Sequence, residues 1–120
     1  MKYSMKPIFK RVVVYISPKG ERKELECIVA IIQDAKTKEV LMQGFMNELA
    51  WEKTQETKIA HFWSTSRDEL WRKGATSGNG IEVVWQILDC DLDTVLIGAN
   101  IKGDGVVCHS GQVSCFYNMV

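Results

Sequence analysis

The sequence predicts a β-rich α+β fold, a single domain over residues 1–120 with six or seven strands and one or two short helices. Runs of apolar and β-branched residues recur along the chain with turn-forming residues between them, whereas helical spacing is confined to one segment. Apolar residues make up 46% of the chain and charged residues 25%, which is ordinary for a globular protein. A domain of this size leaves much of its surface exposed, so pairing with a second copy would enlarge its core.

The first third of the chain predicts a β-hairpin and a central strand. Lys10–Ile16 is rich in valine and runs into the turn Ser17-Pro18-Lys19-Gly20. Leu25–Gln33 is almost continuously apolar, as expected of a strand covered on both faces. Asp34–Lys38 then predicts a turn that leads into a strand beginning at Val40.

One short helix is predicted over Glu48–Glu56, with Asn47 as its N-cap. Its expected apolar stripe consists of Leu49, Ala50, Trp51 and Thr54.

Strands and turns are expected to alternate in the rest of the chain. Ile59–Ser64 has strand character, and we interpret His61 within it as structural. Ser66–Ser77 is polar and predicts a functional loop or a short helix. The further strands are Ile81–Leu88 and Thr94–Ala99, and the further turns are Gly78-Asn79-Gly80 and Gly103-Asp104-Gly105.

Charge and cysteine content exclude several classes of protein. Fifteen basic and fifteen acidic residues cancel, which argues against a surface that binds nucleic acid polymers. The beginning of the chain has no apolar run long enough for a secretion signal or a membrane span, so we expect a cytoplasmic protein. In that reducing compartment the four cysteines are expected as thiols or metal ligands, with Cys27 simply buried in its apolar strand.

An acidic segment lies between two predicted strands. Alternation in an extended chain would put Asp89, Asp91 and Asp93 on one face and Cys90 on the other. Three converging carboxylates repel one another, and a hard cation that prefers oxygen, such as Mg²⁺, would relieve that repulsion. A solvated turn in which aspartates only bend the backbone explains the same segment.

Two thiols and an imidazole lie close together near the end of the chain, at Cys108, His109 and Cys115. These softer ligands prefer zinc, and with Cys90 they offer three thiolates, which leaves a fourth position for water as in catalytic zinc sites. His109 could take the fourth position or move a proton near neutral pH. The ordinary alternative is that these cysteines are small buried apolar residues.

The polar stretch from Trp63 to Gly78 has the composition of a phosphate-binding surface. Arginine, lysine, hydroxyls and glycine amides suit phosphate oxygens, and an indole can stack on a flat base. Core packing and a charged surface loop explain the same composition. The candidate substrate-binding residues are Trp63, Ser64, Ser66, Arg67, Lys73, Thr76 and Ser77.

Taken together and in order, these segments resemble the phosphoribosyl-AMP cyclohydrolase family from about Cys27 to Tyr117. The residues that carry the resemblance are Gln33-Asp34, Val40-Leu41-Met42, Phe45-Met46-Asn47, Trp63-Ser64-Thr65-Ser66-Arg67, Leu70-Trp71-Arg72-Lys73-Gly74, Thr76-Ser77-Gly78-Asn79, Asp89-Cys90-Asp91-Leu92-Asp93, Cys108-His109-Ser110-Gly111 and Ser114-Cys115-Phe116-Tyr117.

The resemblance implies a twisted-sheet pseudobarrel that forms an intertwined homodimer. It also implies zinc- and magnesium-dependent hydrolysis of the N1–C6 bond of the adenine ring of phosphoribosyl-AMP, in histidine biosynthesis. Zinc would be held by Cys90 of one subunit with Cys108 and Cys115 of the other, and magnesium by Asp89, Asp91 and Asp93. His109 is the candidate catalytic residue.

Five positions depart from the family pattern, and none of them is a proposed metal ligand. The departures concern polar contacts to the substrate and leave open a divergent specificity or reduced activity. They are Ala75 for glutamate, Ile81 for glutamine, Val106 for proline, and Gln112 and Val113 where arginine is frequent.

The alternative within the family is a zinc-stabilised dimer that binds nucleotides without catalysis. The intact set Cys90, Cys108, His109 and Cys115 favours the enzyme. A purine or cytidine deaminase would need His-x-Glu with Pro-Cys-x-x-Cys, and a thiol redox protein would need Cys-x-x-Cys. The sequence has neither motif.

Overall fold

The computed structural model describes residues 5–74 and 78–120, and within them it contains seven strands and one helix. This confirms the predicted β-rich α+β composition. In chain order the elements are β1 (Arg11–Ile16), β2 (Arg22–Asp34), β3 (Val40–Met46), α1 (Glu48–Thr57), β4 (His61–Ser64), β5 (Glu69–Arg72), β6 (Ile81–Leu88) and β7 (Thr94–Ile101).

Strand β2 is the centre of a mixed sheet. Its first half pairs antiparallel with β1, from Arg22 opposite Ile16 to Cys27 opposite Arg11. Its second half pairs antiparallel with β3 and parallel with β7, while β6 pairs antiparallel with β7. The strand order is β1-β2-β7-β6, with β3 also on β2, and β4 and β5 form a separate two-stranded sheet. A strand segment that is covered on both faces is expected to be apolar. That is the composition of Cys27–Ile32 in β2, whereas Arg22–Glu26 is mostly charged.

The hydrophobic core lies between the second half of β2, its neighbours and the helix. The buried side chains of this cluster come from β2, β3, α1, β4, β6 and β7, whereas the apolar residues Val12, Val14 and Ile16 of β1 are exposed. Ile81, one of the five departures from the family pattern, lies in this core with none of its surface exposed, so its apolar side chain has a packing role. The buried core residues are Ile28, Ala30, Ile32, Leu41, Met42, Met46, Ala50, Ala60, Phe62, Ile81, Val95, Ile97, Ala99 and Val107.

The helix begins as the sequence predicts. The Asn47 side chain accepts a hydrogen bond from the Ala50 amide at 3.0 Å, which satisfies one of the free donors of the first turn. Ala50 and Thr54 are buried, and the Thr54 hydroxyl accepts a hydrogen bond from the His61 amide at 2.9 Å. Leu49 is 43% exposed, so its assignment to the apolar stripe was wrong.

The prediction of a loop or short helix at Ser66–Ser77 is wrong for the part of that segment that forms β5. Strand β5 pairs with β4, with Trp71 opposite Phe62 and their ring centroids 5.8 Å apart. Phe62 is buried, and Leu70 and Trp71 pack against the core. Cross-strand aromatic contacts of this kind stabilise a hairpin in spite of its polar composition. Residues 75–77 lie outside the described residues.

The segment after β7 has no regular secondary structure but is held to the sheet. The Cys115 amide donates to the Leu41 carbonyl oxygen at 2.7 Å, and the Ser114 hydroxyl donates to that of Val40 at 2.7 Å. Strand β3 therefore determines where the last cysteine lies. Among the described residues, no helix is long and apolar enough to cross a membrane.

Candidate active site

The three aspartates converge at the turn between β6 and β7. One carboxylate oxygen from each of Asp89, Asp91 and Asp93 lies within 4.8 Å of the others. The predicted convergence is confirmed, but the extended conformation that we expected for the segment is wrong. Asp89 Oδ1 accepts hydrogen bonds at 3.1 Å from the amides of Asp93 and Thr94, and Leu92 has a left-handed φ of 64°. An aspartate-closed turn, and not strand alternation, gathers the carboxylates.

The acidic cluster, defined as Asp89, Asp91 and Asp93, has two cationic neighbours from the beginning of the chain. Arg11 Nε lies 2.6 Å from Asp93 Oδ2, and Lys10 Nζ lies 3.4 Å from Asp91 Oδ2. Asp93 is 2% exposed, and its Oδ1 is buried and accepts no hydrogen bond from the described residues. A buried carboxylate oxygen without a donor is costly, and it lies beside two other carboxylates. This all-oxygen cluster therefore fits a hard divalent cation such as Mg²⁺.

Cys108 and Cys115 are neighbouring thiols that affect each other's pKa, and we call them the thiol pair. The Ser110 hydroxyl donates to Cys108 Sγ at 3.0 Å. That hydrogen bond, then the one from the Ser110 amide, lowers the pKa of the Cys108 thiol. Removal of its sulfur from water, followed by the neighbouring Cys108, raises the pKa of the Cys115 thiol. The sulfurs of the pair are soft donors of the kind that fit zinc.

Cys90 lies apart from the thiol pair within one chain. It is exposed in the β6–β7 turn, and the sulfurs of Cys90, Cys108 and Cys115 do not all lie within 4.8 Å of one another. Cys27 is completely buried in β2, and burial raises the pKa of its thiol, which confirms the prediction of a core cysteine. His61 is also structural, because its Nδ1 lies 2.8 Å from the Ile59 carbonyl oxygen.

A cavity of about 380 Å³ brings together residues from four of the sequence motifs. Cys108 and His109 from the C-terminal segment line it with Arg67 and Lys73 from the β4–β5 region. His109 is exposed, and Lys73 Nζ lies 5.3 Å from the centroid of the Trp71 ring. A cationic rim beside a pair of thiols can bind an anionic ligand next to a metal held by sulfur.

Of the other predicted substrate residues, Trp63, Ser64 and Ser66 do not line this cavity. Ser64 Oγ, at the end of β4, lies 3.3 Å from Ser66 Oγ in the β4–β5 turn. The Trp63 indole Nε1 donates to the Tyr15 hydroxyl at 3.1 Å and so points toward β1. Thr76 and Ser77 lie outside the part of the chain that the structure describes.

Two sets of contacts near these sites were not predicted from the sequence. Lys10 and Arg11 were assigned only to a strand. Arg11 and Asp93 are 82 positions apart in the chain, so no local sequence pattern signals that these two basic residues contact the aspartates. Asn79 was predicted as part of a turn and of a family motif, but its burial and its contact with Asp104 were not predicted: it is 9% exposed, lines the cavity, and accepts a hydrogen bond from the Asp104 amide at 3.1 Å. The Gly-Asn-Gly pattern marks the turn without indicating this contact.

A second cavity, of about 580 Å³, opens beside the acidic cluster. Asp89, Leu92 and Trp51 are among the residues that line it. Gln55 and Gln86 exchange two side-chain hydrogen bonds there, at 2.8 and 3.0 Å, and so join the helix to β6. A ligand that reaches the acidic cluster has apolar and amide surface beside it.

Comparison with known proteins gives a consistent result. The sequence model described as Phosphoribosyl-AMP cyclohydrolase matches residues 42–117. Curated proteins with that name are similar over most of the chain. The one from Desulfatibacillum aliphaticivorans is 54% identical over 91 residues, which is 76% of this chain and 72% of that protein. The one from Brucella abortus (strain 2308) is 50% identical over 93 residues, 78% of each chain. The one from Brucella suis biovar 1 (strain 1330) is 50% identical over 93 residues, 78% of this chain and 67% of that protein.

Proposed function

The chain belongs to the phosphoribosyl-AMP cyclohydrolase family, and we propose that it hydrolyses the N1–C6 bond of the adenine ring of phosphoribosyl-AMP, in the cytoplasm, with zinc and magnesium as cofactors. It is thus a hydrolase of histidine biosynthesis. The observation that carries the proposal is the cavity in which Cys108 and His109 meet Arg67 and Lys73.

Substrate binding is assigned to the cationic rim of that cavity. Phosphoribosyl-AMP carries phosphate groups, and guanidinium and ammonium groups are the side chains that bind phosphate most strongly. Arg67 is exposed and has no ion pair among the described residues, so its charge is available to a ligand. Lys73 carries the second charge, held over the Trp71 ring. Arg67 and Lys73 therefore hold the substrate with its purine toward Cys108 and His109.

His109 is assigned the proton transfer. In the reaction a water oxygen bonds to C6, the C6–N1 bond breaks, and the two protons of water end on N1 and on the exocyclic nitrogen of the new carboxamide. An imidazole exposed at the cavity can accept one of these protons and return it to the departing N1 near neutral pH. When bound, zinc would make water a better nucleophile near neutral pH, and magnesium would orient substrate oxygens.

The metals are assigned to the two sites described above. The acidic cluster would hold magnesium, and the thiol pair would hold zinc together with Cys90 of a second copy in an intertwined homodimer. Two observations support the shared site: Cys90 is exposed, and it does not join the thiol pair within one chain. Two sulfur ligands alone would hold zinc poorly, because zinc sites in proteins normally have at least three protein ligands.

The direct experiment supplies phosphoribosyl-AMP and follows the absorbance change on ring opening, with zinc and magnesium and then with a chelator. Turnover that the chelator abolishes supports the proposal. Cys108→Ala and Cys115→Ala should lose zinc and nearly all turnover, whereas Cys27→Ala, which removes a core cysteine, should keep both. Binding of the substrate without any absorbance change would indicate a non-catalytic nucleotide-binding dimer.

Mixing two inactive variants tests the shared zinc site. A dimer of one Cys90→Ala subunit and one Cys108→Ala subunit has one site with both substitutions and one site with none. If zinc is shared between subunits, unfolding and refolding the mixture should restore about a quarter of wild-type activity, because about half of the dimers are mixed and each has one intact site of two. If each chain holds its own zinc, mixing should restore nothing.

A further inference from the structure

We propose that Tyr15, in the N-terminal hairpin, is a positioning residue for substrate binding that acts on Arg67 through Asp68. The proposal rests on the proposed function, since it concerns the arginine assigned there to substrate phosphate. It adds a residue that does not line the cavity and that belongs to none of the motifs considered so far.

Tyr15 and Lys23 each contact one carboxylate oxygen of Asp68, and we call these three residues the Asp68 clasp. Tyr15 and Lys23 are direct cross-strand partners in the β1–β2 hairpin, so their side chains leave the sheet side by side. The Tyr15 hydroxyl donates to Asp68 Oδ1, and Lys23 Nζ lies 3.2 Å from Asp68 Oδ2. Asp68 belongs to the turn between β4 and β5, so the clasp ties that turn to a different sheet.

The turn held by the clasp contains Arg67. On one side of Arg67, its amide donates to Ser64 Oγ at 3.2 Å, a contact within the turn itself. On the other side is Asp68, which has a left-handed φ of 57° and a side chain that is 21% exposed. A non-glycine residue in this conformation normally needs surrounding contacts to maintain it. The clasp provides them, and so determines the direction in which the neighbouring Arg67 leaves the backbone.

The Tyr15 hydroxyl also joins the turn to β4. It accepts a hydrogen bond at 3.1 Å from Trp63 Nε1 while it donates to Asp68. One hydroxyl thus connects the strand before the turn with the residue after Arg67. Water can reach the partly exposed clasp and replace a lost partner, so removal of the hydroxyl should loosen the turn without unfolding the protein.

The test separates the Michaelis constant from the turnover number. Tyr15→Phe keeps the ring and removes the hydroxyl, and we expect KM for phosphoribosyl-AMP to rise about three- to tenfold, the range for one hydrogen bond to a charged group that is partly screened by water. The turnover number should stay within about twofold, because binding is weakened equally in the ground and transition states. Lys102→Met removes an exposed ion pair of similar length, 3.1 Å to Glu82, and serves as the matched control with unchanged KM.

A double-mutant cycle with Arg67→Ala distinguishes positioning from general stability. If Tyr15 acts through Arg67, adding Tyr15→Phe to Arg67→Ala should not raise KM further. Additive effects, or equal losses in KM and turnover number, would overturn the proposal. Should Tyr15→Phe fail to fold, Asp68→Asn carries the same cycle.

Failure of the proposed function would be seen separately, as a wild-type protein without turnover. In that case the affinity for AMP, measured by calorimetry, replaces KM. A three- to tenfold loss in Tyr15→Phe that disappears in the Arg67→Ala background would still support the clasp, and equal affinities of wild type and Tyr15→Phe would refute it.

Discussion

Replacing Asp93 by asparagine should abolish stabilisation of the fold by Mg²⁺ and leave the cation-free protein about as stable as the wild type. The carboxylate oxygens of the acidic cluster lie within 4.8 Å of one another. At that separation a pair of charges repels by roughly 3.5 kcal/mol at an effective dielectric constant of 20, and by roughly 0.9 kcal/mol in water. Asp89 and Asp91 are exposed, so the repulsion is nearer the lower value.

Two opposing changes set the stability of the cation-free variant. Asparagine relieves the repulsion by Asp89 and Asp91, but it loses the 2.6 Å ion pair with Arg11, whose side chain is 53% exposed. We expect a net change within about 1 kcal/mol, because a half-exposed ion pair contributes little. For the wild type, Mg²⁺ at ten times its dissociation constant should add about 1.4 kcal/mol. In a protein of this size that corresponds to a rise of roughly 5 °C in melting temperature.

The assay is thermal unfolding with increasing MgCl₂ at constant ionic strength, with EDTA as the cation-free reference. Glu52→Gln removes an exposed helical carboxylate outside the acidic cluster and should respond to Mg²⁺ like the wild type. An equal rise in melting temperature for Asp93→Asn and wild type would show that the cation binds elsewhere, and the assignment of the cluster would be wrong.

Three further outcomes follow from single contacts. Gly98→Ala should destabilise the protein by about 1–3 kcal/mol or more in urea unfolding, because its Cβ would lie 2.0 Å from Trp85 Cε2; an unchanged midpoint would contradict the packing. Asn47→Ala should cost about 1 kcal/mol by the same measurement, and Asn47→Asp should recover most of it. The hydrogen bond from Tyr15, then the contact with Lys23, lowers the pKa of Asp68. Its contribution to stability is therefore present above the unfolded value of about 3.9 and lost as pH falls through the folded pKa, so Asp68→Asn should weaken the pH dependence of unfolding below about pH 4.

Features that depend on neighbours in the chain were predictable. The Asn47 cap needs only the amide three residues later, and the turn at Asp34 needs only the amides of Lys36 and Thr37, to which its carboxylate bonds at 2.8 and 2.9 Å. The continuous apolar run of β2 indicated its central place, since neighbours cover it along its length. Such contacts are encoded within a few residues.

The failures have a common cause. Glu69–Arg72 is a strand because Trp71 lies opposite Phe62, a partner in another segment. Asp89–Asp93 is a turn because the Asp89 carboxylate bonds to amides that follow it, which competes with the extended conformation assumed from alternation. In both cases polarity and spacing left two conformations open, and side-chain contacts selected one.

By itself, the sequence determined the chemistry available: the carboxylates of one short segment, and the thiols and imidazole of another, are close in the chain. Only the tertiary structure decided which other groups meet them. It placed Arg11 on Asp93, Arg67 and Lys73 beside Cys108, and Tyr15 on Asp68. These contacts join residues tens of positions apart. They depend on how strands pair and on where the sheets pack, and no local pattern of residues encodes either.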